Sequence, residues 1–326
     1  MILAENMEEN SGYKKNIPLL KRIKNFLAIF FSINSLLLSA QEPNFKFLIN
    51  LAGFKNVLYE NSIAIDSSVI CPGGFRKRTP LGKVLQKKIY IRPSFYPTKS
   101  EAGEFKPSPP DKTSQPTKPT NPLGRIKIEI CNIDGMRIRM HGTSMVNSIG
   151  RFQGDKIVGA RFSSNGCIRN DNLSIERMVG KILVRSKIVK TDEQIKLLIE
   201  QHLRGEIEDW EIVNRTKPGK TAIVILEKPL EIEIYYRLWD IIKIENDKIE
   251  FNINLDIYKY LDGRKEKFLP YFQENQKNAY KYEHLKRDLD GLNLDEKQKI
   301  KIWQNLYREI KNNREVGKRI IIKIPK

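Results

Sequence analysis

Charged and apolar residues alternate one for one through "RIKIEI" (Arg125–Ile130), "MRIRM" (Met136–Met140) and "EIEIYY" (Glu231–Tyr236). Such a pattern presents one continuous apolar face only when the chain is extended, because strand side chains alternate with period two. A chain in which these runs dominate is expected to be mainly β, with few helices. Two stretches carry helical spacing instead. "TDEQIKLLIEQHLRGE" has a capping box from Thr191 to Gln194 and apolar Ile195, Leu198 and Ile199. "NLDEKQKIKIWQNLYREI" has Asn293 and Glu296 at capping-box spacing and places Ile300, Trp303, Leu306, Tyr307 and Ile310 on one face, predicted to pack back on the body of the protein. With 326 residues, 40% of them hydrophobic, the chain can bury one large core or two modest ones.

Lys14, Lys15, Lys21, Arg22 and Lys24 precede the apolar run Phe26–Ala40, which ends in small residues. The run is shorter than the ~20 residues a spanning helix needs, and its layout predicts a secretory signal peptide over 1–40, cut after Ala40; an uncleaved anchor in the inner membrane is the rival reading. Either one exports the protein to the periplasm or cell envelope. The whole chain carries 58 Lys and Arg against 39 Asp and Glu; without residues 1–40 the counts are 53 and 36. An exported protein of that charge is not expected to meet nucleic acid. Its excess of cations suits a carboxylate-rich polymer or another anionic envelope surface.

Three cysteines is an odd number for an exported chain, where thiols tend to pair, so at least one is free or joined to another molecule. Cys131, in the alternating "RIKIEICNI", reads as a structural thiol, and Cys71 ends a strand-like run before "PGG"; pairing of these two stays open. Cys167 differs. Gly166 precedes it and Arg169 follows in the polar, turn-like "RFSSNGCIRN", where a thiol is reachable and backbone N–H groups around a glycine can face an anion. A reactive thiol needs a base, and the chain offers His141, His202 and His284. His202 reads as a surface position on its helix and His284 as a solvated one among lysines. His141 stands at the end of "MRIRM", beside Gly142. Histidine preceding cysteine by 26 residues is the reverse of the papain-like order, and no cluster of further Cys or His suits zinc.

The elements "HGT" (His141–Thr143), "SIGR" (Ser148–Arg151) and "SNGCIR" (Ser164–Arg169) occur in this order, preceded by "TPLG" (Thr79–Gly82) and "NPLG" (Asn121–Gly124). In these residues the chain resembles the L,D-transpeptidases of bacterial cell walls, the YkuD-type catalytic domain, and "KPLEIEIYYRLWDIIKIENDKIEFNINLDIYKYLD" resembles the strand-rich close of the larger, YcbB-like members. The likeness covers about residues 44 to 262. It implies a curved, sandwich-like sheet with a few helices, in three parts: the leader 1–40, a catalytic domain 41–262, and a lysine-rich helical extension 263–326. Asn165 stands where many members have histidine, and "FQGDKIVGARFS" makes the loop between base and nucleophile longer than usual.

The resemblance implies Cys167 as nucleophile and His141 as base, with the imidazole oriented by the Gly142 carbonyl and the N–H groups of Gly166 and Cys167 as oxyanion donors. An imidazolium beside the thiol would favour the thiolate near neutral pH. Arg169, Ser164, Asn165, Thr143 and Tyr96 are expected to support the site or bind substrate, with no cofactor or metal. The implied substrate is a peptidoglycan stem peptide, which loses D-Ala to form a thioester and then passes to an amine; carbapenem-type β-lactams are the implied covalent inhibitors. Hydrolysis by the same residues, and a wall-binding module without activity, are the alternatives. The proline-rich segment Lys106–Pro122 is expected to be either a loose insertion or a lid over the cleft.

Overall fold

A computed structural model of the chain describes residues 42–97, 106–113, 119–133, 136–145, 147, 149–153, 156–159, 161–263 and 277–325. The leader expected over 1–40 lies outside the described residues, as does part of the proline-rich segment. Among the described residues no helix is long and apolar enough to cross a membrane.

The alternating runs form the strands. β1 (Phe45–Asn50), β2 (Lys55–Glu60), β3 (Ile63–Cys71), β4 (Gly82–Ile91), β5 (Ile126–Ile133) and β6 (Met136–His141) come first. β7 (Arg151–Gln153) and β8 (Lys156–Val158) form a separate hairpin, and β9 (Ile168–Asn170) leads into helix α1 (Asn172–Arg185). β10 (Ile188–Lys190), α2 (Glu193–Leu203), α3 (Asp209–Asn214) and the long β11 (Ala222–Tyr235) follow. The sheet runs β1-β2-β3-β9-β6-β5-β4-β11-β10, and β1 also pairs in parallel with β11. The curvature is therefore complete: eight strands close on themselves, which removes the exposed edges an open sheet would carry. Pro229, which has no N–H to give a ladder, sits where the β11–β4 register shifts between Ile225 and Leu230.

Phe45, Phe47 and Ile49 of β1 and Ile232 and Ile234 of β11 point into the core, as period two requires. α1 adds Ile175, Met178, Val179 and Ile182 to the same core. Its outer face is tied to β3, where the Asp66 carboxylate accepts from Arg177 Nε and Nη2 and from Lys181 Nζ, each at 2.7 Å.

The remaining elements are β12 (Trp239–Ile244), β13 (Lys248–Ile253), α4 (Tyr282–Leu289), α5 (Glu296–Asn312) and β14 (Lys318–Lys323). The stretch after 263, expected as helical, supplies a strand as well, since β14 completes a sheet of order β12-β13-β14. Helix α5 covers that sheet, but its register differs by one cap from the one the sequence suggests. Asp295 is the N-cap, paired with Gln298, and the buried face is Ile302, Leu306 and Ile310 with the stem of Lys299; Ile300 is exposed. Asp295 prevails because its carboxylate reaches the Gln298 N–H at 2.7 Å. Asp192 likewise caps α2 in place of Thr191, accepting from Gln194 N. Leu306 is fully buried, so Leu306→Ala is expected to cost ~2–5 kcal/mol, read as a lower urea midpoint with an unchanged slope.

One further expectation is corrected and one open question is answered. His284 is buried rather than solvated, accepting at Nδ1 from Tyr280 N at 3.2 Å and packing edge-on against the Tyr280 ring. The pairing of Cys71 with Cys131, left open by the sequence, is not formed: no disulfide joins them. The extra length of "FQGDKIVGARFS" is used by the β7–β8 hairpin, whose Ile157 bridges to Val316 near the C-terminus.

Candidate active site

β6 and β9 lie side by side in parallel, with Met140 opposite Ile168 and His141 opposite Arg169. Cys167 immediately precedes β9, so in this register it stands across from Arg139. Strand alternation then places Arg139, His141, Cys167 and Arg169 on one face of the pair. All four line one small pocket of about 30 Å³, together with Thr143 and Asn165. Its walls are apolar: Phe95, Leu123 and Met145. Cys167 is 7% exposed and His141 4%. The thiol Sγ lies 3.6 Å from the Arg137 carbonyl oxygen.

The turn before the thiol is held from behind. Gly166 has φ +96°, and a Cβ there would stand 2.7 Å from Ile138 Cδ1, so both conformation and space require glycine. The Thr79 hydroxyl donates to the Gly166 carbonyl (2.9 Å) and accepts from Gly73 N (2.8 Å). The Tyr258 phenol continues the chain, donating to the Gly73 carbonyl (2.9 Å) and accepting from Thr79 N (3.2 Å). Ser164 donates its hydroxyl to the Cys167 carbonyl. The Gly166–Cys167 turn therefore rests on "TPLG" and on a tyrosine about ninety residues downstream.

His141 bonds through Nδ1 to the Gly142 carbonyl. A carbonyl only accepts, so Nδ1 carries the proton and Nε2 keeps its lone pair. Burial pushes the imidazole from its ordinary 6.5 down to about 3; Arg169 and Arg139 act in the same sense, and the Gly142 hydrogen bond opposes them. The resting imidazole is therefore neutral, which corrects the expected imidazolium: burial disfavours the charged ring, and two guanidinium groups facing the same pocket disfavour a third cation there.

The proline-rich segment is anchored where it is described. Ser108 and Phe95 exchange backbone hydrogen bonds at 2.9 Å, which sets Phe95 in the pocket wall. Asp111 is fully buried and accepts from Thr120 N, Thr120 Oγ1 and Arg125 Nε at 2.9 to 3.0 Å. Burial alone raises a carboxyl, but here these hydrogen bonds outweigh it and hold Asp111 below the usual range. Arg92 closes the cluster, donating to the carbonyls of Asp111 and Asn214.

Residues 45–189 match the family model YkuD, the L,D-transpeptidase catalytic domain. These residues belong to the YkuD family. No curated protein matches the chain. Solved structures similar to it include L,D-transpeptidase 3 from Mycobacterium tuberculosis in complex with a faropenem-derived adduct, at 10% identity and TM-score 0.29, covering 59% of this chain and 60% of that one. An L,D-transpeptidase in complex with imipenem has 10% identity, TM-score 0.27 and coverages of 58% and 59%. An L,D-transpeptidase from Mycobacterium smegmatis has 10% identity, TM-score 0.28 and coverages of 59% and 58%. The chain thus spans about three fifths of the length of these structures, and so loose a likeness does not bear on individual site residues.

The YkuD match covers β1 to β9 and α1 and ends within β10, so Tyr258 and the strands resembling the larger members lie beyond it. Of the residues expected at the site, Cys167, His141, Thr143, Asn165 and Arg169 share the pocket, while Ser164, Gly142 and Gly166 shape the backbone around it. Tyr96 does not join them: it is 65% exposed, and its neighbour Phe95 is the aromatic turned inward. Arg139 was legible, since "MRIRMH" puts it two residues before His141 on the same strand face. Nothing local to Tyr258 or Asn172 signals their bonds to Gly73, Thr79 and Thr143, and Asp111, though bonded to nearby Thr113 and Thr120, meets Arg92 and Arg125 from other strands.

Proposed function

We propose that the protein is a peptidoglycan L,D-transpeptidase in which Cys167 is the nucleophile and His141 the base. The observation that carries this is one pocket shared by a thiol and a neutral imidazole whose Nε2 is free to accept a proton. The thiol proton passes to Nε2 as Sγ bonds to the stem-peptide carbonyl that precedes the terminal D-Ala. The tetrahedral oxyanion is held by the N–H groups of Gly166 and Cys167, each such donor contributing ~3–4 kcal/mol in comparable sites. When the C–N bond breaks, His141 returns the proton to the leaving amine and D-Ala departs, leaving a thioester. An acceptor amine then attacks, gives its proton to His141, and displaces Cys167 with formation of the new amide. Arg139 and Arg169 favour the negative charge that develops on sulfur and oxygen, and Arg169 is placed to meet a substrate carboxylate.

A pocket of about 30 Å³ has room for little more than one water, so a peptide enters only when the Phe95 and Leu123 walls part. The cationic excess of the chain fits a carboxylate-bearing polymer such as peptidoglycan. The leader pattern supports export to the periplasm, and native protein beginning at Gln41 would establish cleavage.

Solved relatives hold imipenem or a faropenem-derived adduct, and β-lactam acylation tests the reading here. Imipenem is expected to add its mass to the intact protein and to leave Cys167→Ala unmodified; wild-type protein that gains no mass would refute the catalytic proposal. Muropeptide products then separate transfer from hydrolysis: cross-linked dimers or D-amino-acid exchange mark transfer, and trimmed peptides alone mark a hydrolase.

A further inference from the structure

Asn172 is 2% exposed and is the first residue of α1, directly after β9. Its amide closes a two-way bond with the backbone of Thr143: Oδ1 accepts from Thr143 N and Nδ2 donates to Thr143 O, both at 2.8 Å. Thr143 N belongs to the same peptide unit as the Gly142 carbonyl that takes the His141 Nδ1 proton. One planar group therefore has His141 on its oxygen side and Asn172 on its hydrogen side.

Asn172 is itself well located. Asp171 caps α1 by accepting from Ser174 N and Oγ at 2.9 Å, and the neighbouring Asn170 is held by Asn56 Nδ2 and Ser68 Oγ at 3.0 Å. The fit against the turn is close: a Cβ on Gly142 would stand 2.3 Å from Asn172 Oδ1. Glycine at 142 thus lets the asparagine approach, a use separate from offering its carbonyl.

We propose that Asn172 is a positioning residue for the base, fixing the Gly142–Thr143 peptide plane so that the imidazole keeps its proton on Nδ1 and presents Nε2 to Cys167. The inference rests on the assignment of His141 as the base. The peptide unit acts as a relay in which each hydrogen bond polarises the next. Through Asn172, β9 and Cys167, the same strand that delivers the thiol also sets the orientation of its partner. Without the Asn172 acceptor the peptide plane can rotate, and the Nδ1–H and Nε2–H tautomers compete.

Two variants of the full chain separate this role from a merely structural one. Asn172→Asp keeps an oxygen for Thr143 N–H, the bond the relay needs, and replaces the donor to Thr143 O by a second oxygen, which repels that carbonyl. Asn172→Ala gives up both. Histidine ¹⁵N spectra, resolved among only three histidines, report the tautomer, and imipenem acylation reports the consequence. Wild type and Asn172→Asp are expected to hold Nδ1–H, whereas folded Asn172→Ala shows Nε2–H or a mixture and acylates ~10- to 100-fold more slowly, as small misplacements of catalytic groups do. Thermal melting identifies any variant that fails to fold. The proposal is overturned if folded Asn172→Ala keeps the wild-type tautomer and rate. Should wild type itself resist imipenem, the functional reading fails, and the tautomer comparison still decides the role of Asn172.

Discussion

Replacing His141 by alanine is expected to slow acylation of Cys167 by imipenem ~10²- to 10⁴-fold, the usual contribution of a positioned base. The pH profile makes the prediction specific to this site. A base works in its neutral form, and burial with Arg169 and Arg139 nearby lowers His141 to about 3. The acid limb of the wild-type rate should therefore fall near pH 3 and leave the rate flat between pH 7 and 5, where an ordinary histidine of pKa ~6.5 would already be half lost. A limb centred near 6.5 would mean that the imidazole is solvated when it reacts. The same shift has a stability consequence of fixed sign. The unfolded histidine binds a proton below 6.5 that the folded one refuses until about 3, so stability falls as the pH drops through that window. In His141→Gln that part of the acid destabilisation should disappear, which urea midpoints at pH 7 and pH 4 would show.

The second large effect lies outside the pocket. Asp111→Ala is expected to cost ~3–5 kcal/mol, the usual penalty for removing one partner of a buried ion cluster. Arg92, Arg125 and Asp111 are all essentially inaccessible to solvent. Loss of the carboxylate leaves two guanidinium groups buried with Glu176 as their counter-charge among the described residues, and burial already raises Glu176 to about 7. Deleting an exposed pair such as Lys196–Glu193 should change stability by less than ~1 kcal/mol, because water solvates each charge when the other is gone. Thermal and urea unfolding of the two variants would compare the effects directly. An Asp111→Ala protein as stable as Lys196→Ala would show that the cluster is not what anchors the proline-rich segment.

How much of the site was legible depended on range. "HGT" and "SNGCIR" hold their chemistry in adjacent residues, so His141, Gly142, Gly166 and Cys167 could be named before any strand was placed. Arg139 was missed, although period two puts it on the same strand face as His141. Tyr96 falls outside the pocket because the backbone pairing of Phe95 with Ser108 selects which of the two adjacent side chains points inward, a contact the local sequence does not specify. The caps at Asp192 and Asp295 displaced Thr191 and Asn293 for a local reason: each carboxylate reaches a helix N–H two or three residues on, and several residues in each stretch were chemically able to do so. Lys106–Pro122 has no apolar periodicity to show that Asp111 is a fully buried anchor; that depends on Arg92 and Arg125 meeting it from other segments.

By itself the sequence determined the β character of this protein, through the alternation that gives the long strands one apolar face, and singled out Cys167 and His141 as the candidate pair, through short motifs whose residues are adjacent in the chain. Only the tertiary structure decided that the sheet closes through β1 and β11, that burial beside two arginines keeps His141 neutral, and that Asn172 and Tyr258 brace the turns around His141 and Cys167. Those features are contacts between residues far apart in the chain. Their energies depend on distance, burial and shared dielectric surroundings, none of which a linear order of residues specifies.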